Sequence, residues 1–254
     1  MAEIVVKNLS VTYKGRKKSE SVCALSSLDV KFEREKINVV LGYNGCGKST
    51  LLKAIAGIIE YTGDIFLDGV NAYKMPAKNR GVSFVTENYI LNPALTVFDN
   101  IALSLKTQKL GYDKTLKSIY ELTEKLDIAH TLNCKPRQLS QGQQQRVAIA
   151  KALIKKPKIC LFDEALTALD QKLRNELRLF IKSELKSYNA TSVYVTHDLN
   201  EATAFGDRIF VLSDSKIVLE GTPEEIIKSD NELIRDLKKL TFHESLLEGG
   251  GRDG

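Results

Sequence analysis

Hydrophobic and polar positions alternate through the first third of the chain in the manner of half-buried strands. Ile4 to Leu9, Leu28-Asp29-Val30-Lys31-Phe32 and Asp64-Ile65-Phe66-Leu67 show it, and the polar stretch from Lys14 to Ser19 separates the first two. Lys36-Ile37-Asn38-Val39-Val40-Leu41 reads as a further strand, broken by a glycine-rich turn before an apolar helix, Leu51 to Ile55. Later, Lys158-Ile159-Cys160-Leu161-Phe162 and Ser192-Val193-Tyr194-Val195 are continuous apolar runs. Such runs suit strands buried on both faces of a sheet, with helical segments between them. Residues 88–138 differ: Asn100 to Leu110 and Asp113 to Leu126 have helical periodicity and no strong strand, which predicts an inserted helical lobe. Near the end, Arg208 to Leu212 and Lys216 to Glu220 flank Ser213-Asp214-Ser215 as a hairpin. Thr222-Pro223-Glu224-Glu225 then forms a capping box with Pro at the first helical position. No internal repeat is visible, and the glycine-rich end, Glu248 to Gly254, predicts a flexible tail.

The glycine-rich turn carries chemistry. Gly42-Tyr43-Asn44-Gly45-Cys46-Gly47-Lys48-Ser49-Thr50 satisfies the pattern G-x-x-x-x-G-K-[ST]. Glycines at 42, 45 and 47 let the backbone fold around an anion with its N–H groups inward, and the loop opens a helix whose dipole favours negative charge. Lys48 would reach the β- and γ-phosphates of a nucleotide, and Ser49 would hold Mg²⁺. A chance Lys in an ordinary turn is the competing reading, and the order strand, loop, helix argues against it. The loop alone does not choose between kinase, GTPase, helicase and transporter ATPase. A GTPase would want an Asn-Lys-x-Asp base-reading motif, and the sequence has none.

Composition narrows the class only a little. Of the 254 residues 43% are hydrophobic and 27% charged, values of a globular protein rather than a disordered or collagen-like one. The net charge of +5 fits an anionic ligand or membrane surface and is too diffuse to argue for nucleic acid. Cys23, Cys46, Cys134 and Cys160 show no Cys-x-x-Cys and no zinc spacing, which predicts reduced thiols in a cytosolic protein. Apolar stretches such as Ile37 to Gly42 and Ala148 to Ile154 fall far short of the roughly 20 residues that span a bilayer. The N-terminus lacks the pattern of a signal peptide, so the chain is expected not to enter a membrane by itself.

Downstream of the loop, Leu139-Ser140-Gln141-Gly142-Gln143-Gln144-Gln145-Arg146 closely resembles the signature of ATP-binding cassette (ABC) ATPases, usually Leu-Ser-Gly-Gly-Gln. Ile159 to Glu164 resembles the family's Walker B strand. Ala168-Leu169-Asp170 resembles its D-loop, and Val195-Thr196-His197-Asp198 its switch histidine. With the phosphate loop, five motifs in the family's order cover nearly the whole chain. Each also has a reading of its own. Ser140 can cap a helix from Gln141 to Lys155, and that helix start, with Gly142 allowing close approach, is a second anion site. Asp163 and Glu164 end an apolar strand, where paired carboxylates suit metal-assisted hydrolysis. Asp163 binds Mg²⁺ through water in this reading, and Glu164 is the general base for the attacking water. The resemblance implies that Ser140, Gly142 and Gln143 contact the γ-phosphate of ATP held by Gly42, Asn44, Gly45, Cys46, Gly47, Lys48, Ser49 and Thr50 of a partner subunit. It implies that His197 contacts the γ-phosphate and links its presence to the dimer contact, and that Tyr13 stacks on adenine, for which any base offers a π-face. Ordinary capping for Ser140, a structural role for His197 and a surface aromatic for Tyr13 are the blander alternatives.

The resemblance implies a fold: an α/β, RecA-like P-loop NTPase core with an antiparallel β subdomain and an inserted α-helical signature subdomain. One domain over residues 1–240 is expected, with the helical part at about 88–155 and a tail at 241–254. It also implies a dimer, because one chain holds one copy of each motif, formed with itself or with a related cassette. Its partners would be separate membrane permease subunits and a solute-binding protein, with no nucleic acid, and its place the cytoplasmic side of the cell membrane. Leu91 to Ile101 resembles the lobe of bacterial importers of polyamines, sulfonates, sugars and inorganic anions. Cassettes of that kind often carry a regulatory domain after the core. The sequence ends soon after Phe242, so the expectation is that this layer is absent. An exporter cassette, a soluble ABC ATPase acting on ribosomes or DNA, and a cassette that binds nucleotide without hydrolysis stay open, since motif chemistry does not encode direction.

Two positions depart from the family: Gln141 stands where the signature more commonly has Gly, a change expected to be tolerated because Ser140, Gly142 and Gln143 remain, and the other is Glu87. In Gly81 to Pro93, Glu87 aligns with the Gln that usually offers a neutral amide oxygen to Mg²⁺, and an alignment shifted by one would put Asn88 there. A carboxylate could hold the metal more strongly while adding negative charge near the γ-phosphate and Glu164. Glu87 is therefore read as a metal ligand that alters turnover or coupling. Glu87→Gln is expected to shift the Mg²⁺ dependence of ATPase activity, and an unchanged Mg²⁺ titration would contradict that role.

Overall fold

Burial of both faces organises the chain around short apolar strands. The computed structural model describes residues 3–14, 21–86, 88–108, 110–166 and 169–239. They fall into two compact units, one drawn from Met1–Arg80 and Thr191–Gly254, the other from Gly81–Ala190. Glu87, Ala168 and the expected tail at 241–254 lie outside the described residues, as does most of the polar stretch before the second strand.

In the first unit, β1 (Ile4–Tyr13) and β2 (Val22–Phe32) pair antiparallel. Then come β3 (Ile37–Leu41), α1 (Lys48–Ala56), β4 (Thr62–Leu67) and β5 (Val70–Asn71). One sheet runs β2-β1-β4-β5 and is antiparallel throughout. Its β1 buries Ile4 and Val6, then Leu9 and Val11. The odd step from 6 to 9 keeps both pairs on the core face only because the strand bulges there: Asn8 has φ 50° and the register slips between Val6 and Leu9. Asp29 Oδ1 accepts the Asn8 N–H at 2.9 Å, which holds the bulge.

The chain next enters the second unit with β6 (Val82–Thr86), α2 (Val97–Leu105), α3 (Tyr112–Lys125), α4 (Gln141–Leu153), β7 (Ile159–Asp163) and α5 (Gln171–Ser187). Here β6 and β7 are parallel, with Thr86 opposite Asp163. The helical lobe is present, but α2 starts and stops earlier than the periodicity predicts. Thr96 caps it by accepting the Asp99 N–H at 3.1 Å, and the chain tightens into a 3₁₀ turn over Lys106–Gln108. Val97, Ile101, Leu105, Ile119, Val147 and Ile149 form its buried side.

Returning to the first unit, the chain adds β8 (Thr191–Thr196), α6 (Leu199–Phe205), β9 (Arg208–Ser213), β10 (Lys216–Gly221) and α7 (Pro223–Lys228). β3 lies between β8 and β9, parallel to both, and β10 closes the expected hairpin antiparallel to β9. Asp214 and Ser215 turn the hairpin with φ 47° and 62°, the positive pair of a two-residue turn that suits strand twist. Thr222 and Glu225 make the capping box, each bonded to the other's N–H. Phe32 meets Phe210 edge to face at 5.2 Å, joining the antiparallel sheet to β9.

A buried cation finishes α1. The Arg80 guanidinium is 7% exposed and donates to the carbonyls of Ala54 (2.8 Å) and Ile55 (2.9 Å) in the last turn of the helix. It also donates to Ala72 (2.8 Å) and Met75 (3.0 Å). The helix therefore ends on a charge that its dipole favours, and Gly57 is small enough to admit the guanidinium against the cap. Arg80→Met would strand these carbonyls in the interior, and the expected loss in urea unfolding is about 3 kcal/mol or more. A loss below about 1 kcal/mol would contradict this account.

Candidate nucleotide site

The phosphate loop leaves β3, every residue of which is buried, at Gly42. Gly47 has φ 103°, and a side chain there would strike Leu25 Cδ2 (2.6 Å) and the Ala24 carbonyl (2.7 Å) of β2. That position admits only glycine, for backbone conformation and for space alike. Gly47 is also the cap of α1, with no side chain to accept the helix's first N–H groups and no acidic residue in the first turn. Lys48 is 4% exposed, and its Nζ donates to the carbonyls of Gly42 (2.9 Å) and Tyr43 (3.0 Å), which seats the ammonium inside the loop. Asn44 and Gly45 are exposed at the loop's outer bend, and Ser49 is half-buried in the first turn of α1. Burial raises the Cys46 thiol above its ordinary value, with the nearby Lys48 charge pulling the other way. Tyr13, 41% exposed at the end of β1, has its hydroxyl 3.3 Å from Thr50 Oγ1. That contact ties the predicted adenine-stacking ring to the loop's own helix.

His197 arrives beside the loop by strand register. Leu41 is opposite Thr196 in the parallel pair β3–β8, so Gly42 and His197 are the next residues out of neighbouring strands at the same end. The Gly42 N–H donates to the Thr196 carbonyl at 3.4 Å. Ligands of open α/β sheets bind at this carboxyl end of the strands. His197 is half-buried, and Asp198 caps α6 through the N–H groups of Asn200 (2.8 Å) and Glu201 (3.3 Å).

The second unit carries the other motifs. Asp163 ends β7 at 7% exposure, and Glu164 follows with φ 46°, a left-handed conformation unusual for this residue type. Ser140 caps α4 as the sequence suggests: its Oγ accepts the Gln143 N–H at 3.3 Å while Gln143 Oε1 accepts the Ser140 N–H at 3.0 Å. Gly142 faces Leu173 of α5, where a Cβ would come within 3.0 Å. Its smallness thus serves helix packing inside the chain. α4, like α1 and α5, has no acid in its first turn, whereas α2, α3, α6 and α7 all do. An acid there would repel a phosphate.

In α4, a buried polar residue was not picked out from the sequence. Gln145 is fully buried; its Nε2 donates to the Ala165 carbonyl, next to Glu164, and its Oε1 accepts the Tyr89 hydroxyl at 3.2 Å. The available signal was a glutamine in helical phase with the apolar positions Ile149, Ala152 and Leu153. Among the described residues no helix is long and apolar enough to cross a membrane, and no three His, Cys, Asp or Glu residues cluster as a metal site.

Comparison with known proteins agrees with this geometry. The family model described as ABC transporter matches residues 25–167. The spermidine/putrescine import ATP-binding protein PotA of Aliivibrio fischeri is 40% identical over 210 residues, 82% of this chain and 56% of that one. The sn-glycerol-3-phosphate import ATP-binding protein UgpC of Psychromonas ingrahamii is 38% identical over 227 residues, 89% of this chain and 60% of that one. The chain thus spans a little over half the length of these curated relatives. Among solved structures, the ATP-binding cassette MJ0796, in a dimeric post-hydrolysis state bound to ADP and Pi, superimposes with a TM-score of 0.79. It is 32% identical, and the match covers 87% of this chain and 98% of that one. With the phosphate loop, the β3–β8 edge and the capped signature helix in place, the chain belongs to the ABC transporter family and has the fold of its ATP-binding cassettes.

Proposed function

We propose that this chain is the ATP-hydrolysing subunit of a bacterial ABC importer, acting as a dimer beneath separate membrane permeases. The seating of Lys48 inside a loop that shares a strand edge with His197 carries the reading. In it the loop's N–H groups and Lys48 hold the β- and γ-phosphates, Tyr13 stacks on adenine, and Thr50 holds the tyrosine in place. Asn44, Gly45, Cys46 and Ser49 complete the cradle. Glu164 takes a proton from the attacking water while the water oxygen bonds to the γ-phosphorus, and ADP leaves with the electron pair of the broken P–O bond. His197 contacts the γ-phosphate and so reports its presence to the adjoining turn. Ser140, Gly142 and Gln143 meet the γ-phosphate of the partner's ATP.

The oxygen donors Ser49 and Asp163 fit Mg²⁺, which keeps several waters and takes few protein ligands beside phosphate oxygens. When bound it would neutralise charge on the β- and γ-phosphates. Ser49 and Asp163 would orient it, with Glu87 as a third oxygen donor.

Dimerisation is supported by the MJ0796 cassette, which is dimeric with ADP and Pi, and by the single copy of each motif here. Import is supported by PotA and UgpC, whose names assign them to uptake of a polyamine and of a phosphorylated glycerol. Two relatives about equally similar to this chain are named for a cationic and an anionic solute, which supports a solute chosen by permeases and a solute-binding protein. The cassette's place is then peripheral, on the cytoplasmic face of the membrane.

Glu164→Gln is the direct test, because it removes the base while keeping size and polarity. The purified protein should hydrolyse ATP, and the variant's kcat should fall roughly a hundredfold or more with ATP still bound. A variant as fast as the parent, or a parent with no ATPase activity, would overturn the enzyme reading.

A further inference from the structure

The turn that carries His197 is built around a carboxylate that the chemistry above leaves unused. Glu201 lies in the first turn of α6 and is 1% exposed. Its Oε2 accepts the Thr196 hydroxyl at 2.6 Å, and its Oε1 accepts the Tyr194 hydroxyl at 2.8 Å. The Thr196 Oγ1 in turn accepts the Asp198 backbone N–H at 3.1 Å. Asp198 Oδ1 accepts the N–H of Glu201 itself at 3.3 Å, which closes a ring of hydrogen bonds around the turn.

His197 is the residue enclosed by this ring. Thr196 before it is held through its hydroxyl, and Asp198 after it through its N–H and its carboxylate. Thr196 also accepts the Gly42 N–H on its carbonyl, so the ring is joined to the start of the phosphate loop. A buried carboxylate is costly without donors aimed at it. Simple packing of α6 on β8 would be served as well by an apolar side chain at 201. The arrangement instead spends that carboxylate on the hydroxyls of Thr196, which precedes His197, and of Tyr194 in the same strand.

We propose that Glu201 is a positioning residue, which through Thr196 fixes the turn that aims His197 at the mouth of the phosphate loop. This rests on the reading of His197 as the γ-phosphate contact. Glu201 acts through Thr196, whose hydroxyl its carboxylate accepts, and through its own N–H on Asp198. Glutamine cannot replace it silently: two hydroxyls donate to Glu201, and an amide offers one acceptor oxygen.

Thr196→Val tests the link, since it deletes the hydroxyl that joins Glu201 to the turn and nearly keeps its shape, while Thr196→Ser restores the hydroxyl. The valine variant should lose roughly ten- to hundredfold in kcat for ATP, with KM moving less than about twofold. The serine variant should recover most of that loss. The chain has three histidines, His130, His197 and His243, so imidazole resonances can be assigned one by one. The His197 resonances should shift in the valine variant and return in the serine variant, with the other two unmoved. Thermal unfolding establishes that each variant is folded, and Glu201→Gln carries the same two readouts should Thr196→Val fail to fold. A wild-type kcat with unmoved His197 resonances would overturn the proposal, as would a loss that serine shares with valine. If the parent protein hydrolyses no ATP, the proposed function fails by itself, and the His197 resonances still decide whether Glu201 sets the turn.

Discussion

The parallel pairing of β3 with β8 is the constraint on which the phosphate loop and His197 of the first unit depend. Setting Leu41 opposite Thr196 makes the next residues, Gly42 and His197, emerge together at one end of the sheet. A slip of one residue would turn His197 to the other face and separate it from the loop. The register is protected because both strands are buried throughout and because Asn38, fully buried in β3, donates to the Ser192 carbonyl at 3.1 Å. The same amide is anchored locally on the Glu33 and Lys36 carbonyls, so the bond to Ser192 is made from a side chain already fixed in place, and another alignment would lose it.

Electrostatics completes what register begins. A nucleoside triphosphate brings several negative charges, and the chain meets them with backbone N–H groups more than with side-chain cations. α1 and α4 both begin without an acidic residue, as does α5, while α2, α3, α6 and α7 place Asp or Glu in their first turn. The mild net charge of +5 therefore says little about the ligand; the local distribution at these two helix starts says more.

Much of this was legible in the sequence because the elements obey local rules. The strand, loop and helix around Gly42 to Thr50 follow from glycine placement, and the Ser140 and Thr222 caps follow from the spacing of their partners. The resemblance to ABC ATPases supplied the roles that spacing alone leaves open. What escaped depends on tertiary contacts. The early start of α2 rests on the Thr96 cap, which periodicity does not weigh. Arg80 reads as one more surface charge until α1, Ala72 and Met75 surround it with carbonyls. Gln145 and Glu201 look like ordinary polar helix residues, and only the fold turns them inward onto Ala165 and Thr196.

The central claim is that each chain holds half of two nucleotide sites, and the most direct measurement is the mass of the protein in solution with ATP. Sedimentation of the Glu164→Gln variant, which should bind ATP without consuming it, reads this without interference from turnover. The account predicts a monomer without nucleotide and, with Mg²⁺ and saturating ATP, a dimer retaining one ATP per chain. A chain that binds ATP fully and stays monomeric, with no related cassette needed for hydrolysis, would contradict it.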